Sequence, residues 1–180
     1  MSTNPQPVRG QIELRAEEIE SAVQRATEKF QQIPGCETLI LRLLMLLGRE
    51  LSSLLEEALR PHDLNDTDFR ILISLISQPD GAACPSALCT FVAQSPANMT
   101  RVADALLERG LITRTASEQD RRRTMLRITP AGEALVAALL PLTSEVTRTI
   151  FADIPMATRQ ALLQHLRMLP TQIDRVARSK

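Results

Sequence analysis

Residues 95–132 read SPANMTRVADALLERGLITRTASEQDRRRTMLRITPAG. Ser95-Pro96 is an N-cap followed by a first-turn proline. Behind it Met99, Val102, Ala103, Leu106 and Leu107 fall at i, i+3, i+4, i+7 and i+8, the spacing of a helix with one buried face. Gly110 stands where that helix needs a left-handed C′ residue. Residues 111–115 and 124–129 are short, β-branched-rich segments flanking the polar loop ASEQDRRR, and they read as a two-stranded hairpin. Pro130-Ala131-Gly132-Glu133 opens the next helix. Just upstream, Pro85 takes a first helical position, Leu88, Phe91 and Val92 form an apolar face, and Ala93-Gln94-Ser95 is a short connection. Helix, tight turn, helix and hairpin in that order predict a winged helix-turn-helix.

The flanks carry a different pattern. Ile12, Ala16, Ile19, Val23, Ala26, Phe30 and Ile33 recur in steps of four and three, a narrow seam that needs a partner helix or subunit, and Pro34-Gly35 ends it. A second helix over 37–59 is apolar all round in its first half, so it is expected to be covered on every side, for instance between two subunits. Pro61 stops it, and Leu64-Asn65-Asp66 supplies a cap for a third helix with Phe69, Leu72, Ile73, Leu75 and Ile76. Pro79-Asp80-Gly81 is a turn. Beyond the hairpin, Leu135, Leu139, Leu142, Val146 and Ile150 mark a long helix with Pro141 inside it. Leu162, Leu166, Leu169, Ile173 and Val176 mark a last one with Pro170 as an expected bend. The expected fold is mainly α with a small β-hairpin wing. Its parts are a disordered start (1–10), N-terminal dimerisation helices (11–60), a winged helix-turn-helix (61–130) and C-terminal dimerisation helices (131–180).

Composition narrows the classes. Net charge is zero, which excludes a polycation that coats nucleic acid by charge alone, yet the stretch 98–130 holds seven arginines against four acids. The longest nearly unbroken apolar run, 39–47, is far short of the roughly 20 residues of a membrane span, so no membrane association is expected. MSTNPQPVRG lacks the apolar core of a secretory signal, which suggests a cytoplasmic protein. Cys36, Cys84 and Cys89 form no CxxC pair and read first as buried thiols. The glycines form neither a P-loop nor a dinucleotide fingerprint, there is no GxSxG elbow, and His62 and His165 have no zinc-ligand spacing. Neither an enzyme, a metal nor a cofactor is expected.

With the apolar face of the second helix of the helix-turn-helix turned inward, Ser95, Ala97, Asn98, Thr100 and Arg101 are left on or near its exposed amino-terminal side. Asn suits adenine, Arg suits guanine, Ala or a Thr methyl suits thymine, and hydroxyls suit phosphate. Arg101 could instead pair with Asp104. Arg121, Arg122 and Arg123 sit at or just after the hairpin tip, placed to enter a minor groove, although a charge run is more often a solvated turn. Asp120 can bond the loop backbone or pair with one of these arginines, and so shape the wing.

Taken together, TRxxDxLxxxGLIxR over 100–114, DxR over 120–122, ITPAG over 128–132 and PSAL over 85–88 resemble the MarR family of winged-helix repressors. The likeness is greatest to the Emr-type repressors of multidrug efflux pumps, and it covers residues 64–140. It implies an obligate homodimer formed by the terminal helices, with double-stranded operator DNA as partner and recognition helices in successive major grooves of a pseudo-palindrome. Arg122 matches the family's wing arginine, with Asp120 bracing it; the arm over 11–33 is longer than is usual in the family. The resemblance further implies a small lipophilic or aromatic effector that releases the operator. Leu47, Leu51, Phe69, Leu72 and Ile76 could line its pocket, with Arg49, Arg70 or His62 to meet an anion, but each apolar residue is more simply core. Gly48 in a strong helix suggests a close helix approach or a cavity. Two other readings stay open: a thiol-redox-sensing repressor of the same fold, with Cys84 near a helix N-terminus, and a helical adaptor that binds no DNA.

Overall fold

The computed structural model describes residues 10–116 and 124–179. In chain order it consists of α1 (Gln11–Lys29), α2 (Gly35–Leu59), a 3-10 turn (Arg60–His62), α3 (Asp66–Ile76), β1 (Ala82–Ala83), α4 (Pro85–Val92), α5 (Pro96–Glu108), β2 (Ile112–Ala116), β3 (Thr124–Ile128), α6 (Pro130–Ile150) and α7 (Met156–Arg178). Two helices differ from the sequence expectation. The first ends at Lys29, four residues before Ile33, because Pro34 cannot donate to the Phe30 carbonyl and pushes Ile33 out of the helical region. The second remains open to solvent: in the protomer only Leu46 and Leu59 of α2 are buried, while Ile40, Leu41, Met45 and Leu47 are exposed. Helix α1 packs along α2, which partly answers its seam.

Three helical segments end in the same way, each for a local reason. Asp63, Ala93 and Gly110 all take left-handed backbone. In each case the following amide reaches back five residues: Leu64 to Leu59 (3.4 Å), Gln94 to Cys89 (2.9 Å) and Leu111 to Leu106 (3.0 Å). That geometry satisfies carbonyls the helix would otherwise leave orphaned. Asn65 starts α3 with a full capping box: its side chain accepts from the Asp68 amide at 2.9 Å, and its own amide donates to the Asp68 carboxylate at 3.0 Å.

The core is built where α3, α4, α5 and the sheet meet, from Leu59, Ile71, Leu72, Leu75, Leu88, Val92, Met99, Val102, Leu106, Ile112, Leu126 and Leu139, all at most 1% exposed. Phe91, expected on the inner face of α4, is 64% exposed. The eight-residue helix turns Leu88 and Val92 inward with Cys89 beside them, which places Phe91 on the opposite flank. The expected hairpin is present, with Ile112 opposite Ile128 and Arg114 opposite Leu126. It is extended to three strands in the order β1-β3-β2, since Ala82 and Ala83 pair with Arg127 and Leu126. At the far end of the hairpin one hydroxyl joins three segments. Thr129 Oγ1 lies 2.8 Å from the Gly110 carbonyl and 3.1 Å from that of Leu111, and it accepts from the Gly132 amide at 3.1 Å.

The chain divides after Leu139 into two compact units. In the second, α6 continues unbroken through Pro141 and α7 through Pro170, so neither proline ends its helix. Arg159 turns its guanidinium onto the carbonyls of Phe151 (2.5 Å) and Ile154 (2.7 Å), which fixes the start of α7. No residue of α7 is buried; Ile173 and Val176 are each 60% exposed.

Candidate nucleic-acid interface

The face of α5 opposite the core is set by its cap. Ser95 Oγ accepts from the Asn98 amide at 3.3 Å, and Pro96 follows at the first helical position. Ser95, Ala97, Thr100 and Arg101 are exposed and Asn98 half-buried, while Met99, Val102, Ala103 and Leu106 anchor the other side. The amino-terminal turn therefore presents short polar side chains at the positive end of the helix dipole, an arrangement that suits a phosphate-lined groove. Thr100 Oγ1 donates to the Pro96 carbonyl at 3.1 Å and keeps its oxygen as an acceptor.

The arginines of the basic stretch prove to have separate tasks. Arg101 lies against Asn98, donating from Nη2 at 2.9 Å and from Nε at 3.3 Å to the amide oxygen. The alternative pairing with Asp104 does not form, because Asp104 holds Arg114 at 2.6 Å and so ties α5 to β2. Arg109 donates to the carbonyls of Asp63 (2.5 Å) and His62 (3.0 Å), clamping the end of α5 to the turn before α3. Arg127 donates to the Asp80 carbonyl. Three arginines counted as basic surface are thus occupied in holding the lobe together. Asp120, Arg121, Arg122 and Arg123 lie outside the described residues, as do the first nine.

Sequence reasoning passed over Gln94. Placed in the turn by the left-handed Ala93, it accepts from Asn98 Nδ2 at 2.6 Å and reaches Thr67 Oγ1 on α3 with Nε2 at 3.4 Å. Only its spacing of four from Asn98 hinted at this.

The residues considered for an effector pocket divide between two environments. Phe69 and Leu72 belong to the core, whereas Leu47, Leu51 and Ile76 are exposed. Arg49 lies on Glu50 at 3.1 Å, Glu50 also meets Arg15 at 3.0 Å, Arg70 lies 3.7 Å from Asp66, and the His62 carbonyl is taken by Arg109. Among the described residues a Cβ at Gly48 would meet nothing within 4 Å, so the expected close helix approach is not found within its own unit. A concavity of about 340 Å³ does open between α1 and α2, lined by the apolar Ile19, Val23, Ala26 and Ile33 together with Thr38 and Arg42. The cysteines are free thiols, but against expectation none is buried: Cys36 is exposed at the start of α2, and Cys84 and Cys89 are half-buried. Cys84 caps α4 and has its Sγ 3.2 Å from Ser86 Oγ.

A short helix, a three-residue turn, a helix with a polar amino-terminal face and an antiparallel wing define a winged helix-turn-helix DNA-binding protein. The MarR family signature matches residues 64–124. The transcriptional repressor MprA of Escherichia coli K12 is 29% identical over 158 residues, covering 88% of this chain and 90% of that protein. The chain belongs to the MarR family of transcriptional regulators. Among solved structures, a mutant MarR of E. coli complexed with operator DNA superposes with a TM-score of 0.64 at 21% identity, covering 71% of this chain and 91% of that one. BpsR of Bordetella bronchiseptica, whose DNA binding is regulated by 6-hydroxynicotinic acid, superposes with a TM-score of 0.65 at 23% identity, covering 78% and 95%. Both likenesses speak to the fold. Among the described residues no helix is long and apolar enough to cross a membrane.

Proposed function

We propose that the chain is a homodimeric, ligand-responsive repressor that binds a pseudo-palindromic operator and is released from it by a small lipophilic or phenolic ligand. The observation that carries this reading is the amino-terminal turn of α5, where Ser95, Ala97, Asn98, Thr100 and Arg101 stand on a helix otherwise fixed to the core. In a major groove this face meets base edges and phosphates, and the positive end of the helix dipole favours the phosphates. Arg121, Arg122 and Arg123 extend the footprint from the wing into the minor groove or along the backbone, with Asp120 bracing the loop.

The dimer is supported by apolar surface that a protomer leaves in water. Ile40, Leu41 and Met45 of α2 and Leu162, Ile173 and Val176 of α7 are all exposed, more than a lone soluble helix tolerates. A second copy covers them. For the effector, an apolar groove with one cation in its lining, as between α1 and α2, suits a lipophilic anion. The regulation of BpsR by a hydroxylated aromatic acid is in keeping with that chemistry. The target is an operon of multidrug efflux or stress resistance, on the motif likeness to the Emr-type repressors.

The test is a titration against labelled DNA from upstream of the protein's own gene, at several salt concentrations, with random duplex as competitor and a panel of lipophilic phenols. Nanomolar binding that resists the competitor, weakens steeply with salt and is released by one phenol is the expected result. Release by oxidant alone would move the switch to the cysteines, and no binding would leave the adaptor reading.

A further inference from the structure

We infer that Gln94 and Asn98 are positioning residues that aim Arg101 at a guanine of the operator, so that Asn98 orients the reader and does not read a base itself. The inference rests on the proposed docking of α5 in the major groove.

Hydrogen-bond polarity is the physical basis. A guanidinium only donates. Arg101 Nε and Nη2 converge on one atom of Asn98, so that atom is the carbonyl Oδ1, and the amide nitrogen must face the other way. There it donates to Gln94 at 2.6 Å, which requires the Gln94 oxygen and turns the Gln94 nitrogen to the Thr67 hydroxyl at 3.4 Å. The polarity of the chain Thr67–Gln94–Asn98–Arg101 is therefore fixed from end to end. It begins on α3, passes through the turn and ends on the exposed side of α5. Thr67, Gln94 and Asn98 are half-buried and Arg101 is exposed, so the three supporting groups are shielded and the last one is presented.

Recognition is constrained at both ends of the last pair. Asn98 Oδ1 already accepts twice from Arg101 and one of its two N–H groups is given to Gln94, so the bidentate pairing with adenine, which needs that oxygen, would take it from Arg101. Arg101 has its inner edge, Nε and one N–H of Nη2, held by Asn98. Its outer edge keeps one N–H on each terminal nitrogen, the fork that matches guanine O6 and N7. A long side chain held in this way loses less conformational freedom on binding than a free one, which strengthens discrimination.

The experiment is a binding-site selection followed by affinities for single-base variants of the chosen operator, using the full-length dimer. The wild type is expected to require guanine at one position of each half-site and to weaken several-fold when 7-deazaguanine replaces it, a probe that needs no protein variant. Arg101→Ala should abolish preference at that position alone, a change of about five- to 150-fold in discrimination. Gln94→Met and Asn98→Ala should reduce preference at the same position, and neither should add to the loss in an Arg101→Ala background. Preference lost at a different base pair in Asn98→Ala would make Asn98 a reader and overturn the inference, as would an intact guanine preference in Gln94→Met. A wild type that binds all sequences alike, or an Arg101→Ala protein unchanged at every position, would instead remove α5 from the groove and overturn the proposed function with it.

Discussion

Single residues in this lobe are judged by what their atoms already touch. Gly132, in the first turn of α6, has no room for a side chain: a Cβ would collide with the Leu111 carbonyl oxygen and come within 2.9 Å of Ile128 Cγ1. Since one obstacle is backbone, Gly132→Ala must displace the start of α6, and it should lower stability by about 1–3 kcal/mol in urea unfolding. Arg122 is considered for its expected partner, since its match to the family's wing arginine implies that it reaches DNA. Arg122→Ala should weaken operator binding by about 1–3 kcal/mol while helicity and dimerisation stay unchanged. Unaltered affinity would take the wing out of the mechanism. The sequence announced the basic character of this stretch but not its division of labour. Arg109, Arg114 and Arg127 satisfy carbonyls and a carboxylate brought near by folding, from partners that lie between 10 and 47 residues away. No local spacing encodes such pairs, whereas the i,i+3 and i,i+4 steps from Gln94 to Asn98 to Arg101 are within reach of a helical projection.

At the scale of elements, what was legible followed periodicity and punctuation. The core side of α5, its serine cap, its glycine stop, the hairpin and the capped start of α3 all follow from spacing and turn chemistry, and all are present. Strand β1 was not legible, because two alanines carry no pattern and become a strand only through β3. The inward face of α4 excludes Phe91, against expectation, because a helix of eight residues offers too few repeats to fix its phase. The turn that follows holds a testable feature. Ala93 sits at φ 53, where a Cβ is disfavoured and glycine is at ease. Ala93→Gly should therefore raise the melting temperature slightly, by a net gain of about 0.5 kcal/mol after the extra freedom of glycine in the unfolded chain is counted. Operator affinity should be unaffected.

For the whole molecule, the central question is what covers the arms. Met45 is 70% exposed on α2 and lies in a run of leucine and isoleucine. If a second copy buries this surface, the melting temperature must rise with protein concentration, since association stabilises by mass action. Met45→Glu should then shift sedimentation toward the monomer and weaken operator binding. A melting temperature independent of concentration would contradict the dimer. The apolar seams were visible in the sequence, but a sequence pattern states only that a face wants cover, not whether the cover comes from the same chain.

The three segments joined at Thr129 share one further property, which emerges only when time is considered. The Gly132 amide depends on the Thr129 hydroxyl, that hydroxyl on the carbonyls of Gly110 and Leu111, and the Thr129 amide on Leu111 at 3.1 Å. None of these bonds can open widely without exposing its neighbours to water. In deuterated solvent the amides of Thr129 and Gly132 would therefore show one opening free energy, set by a joint opening of the end of α5, the root of the wing and the first turn of α6.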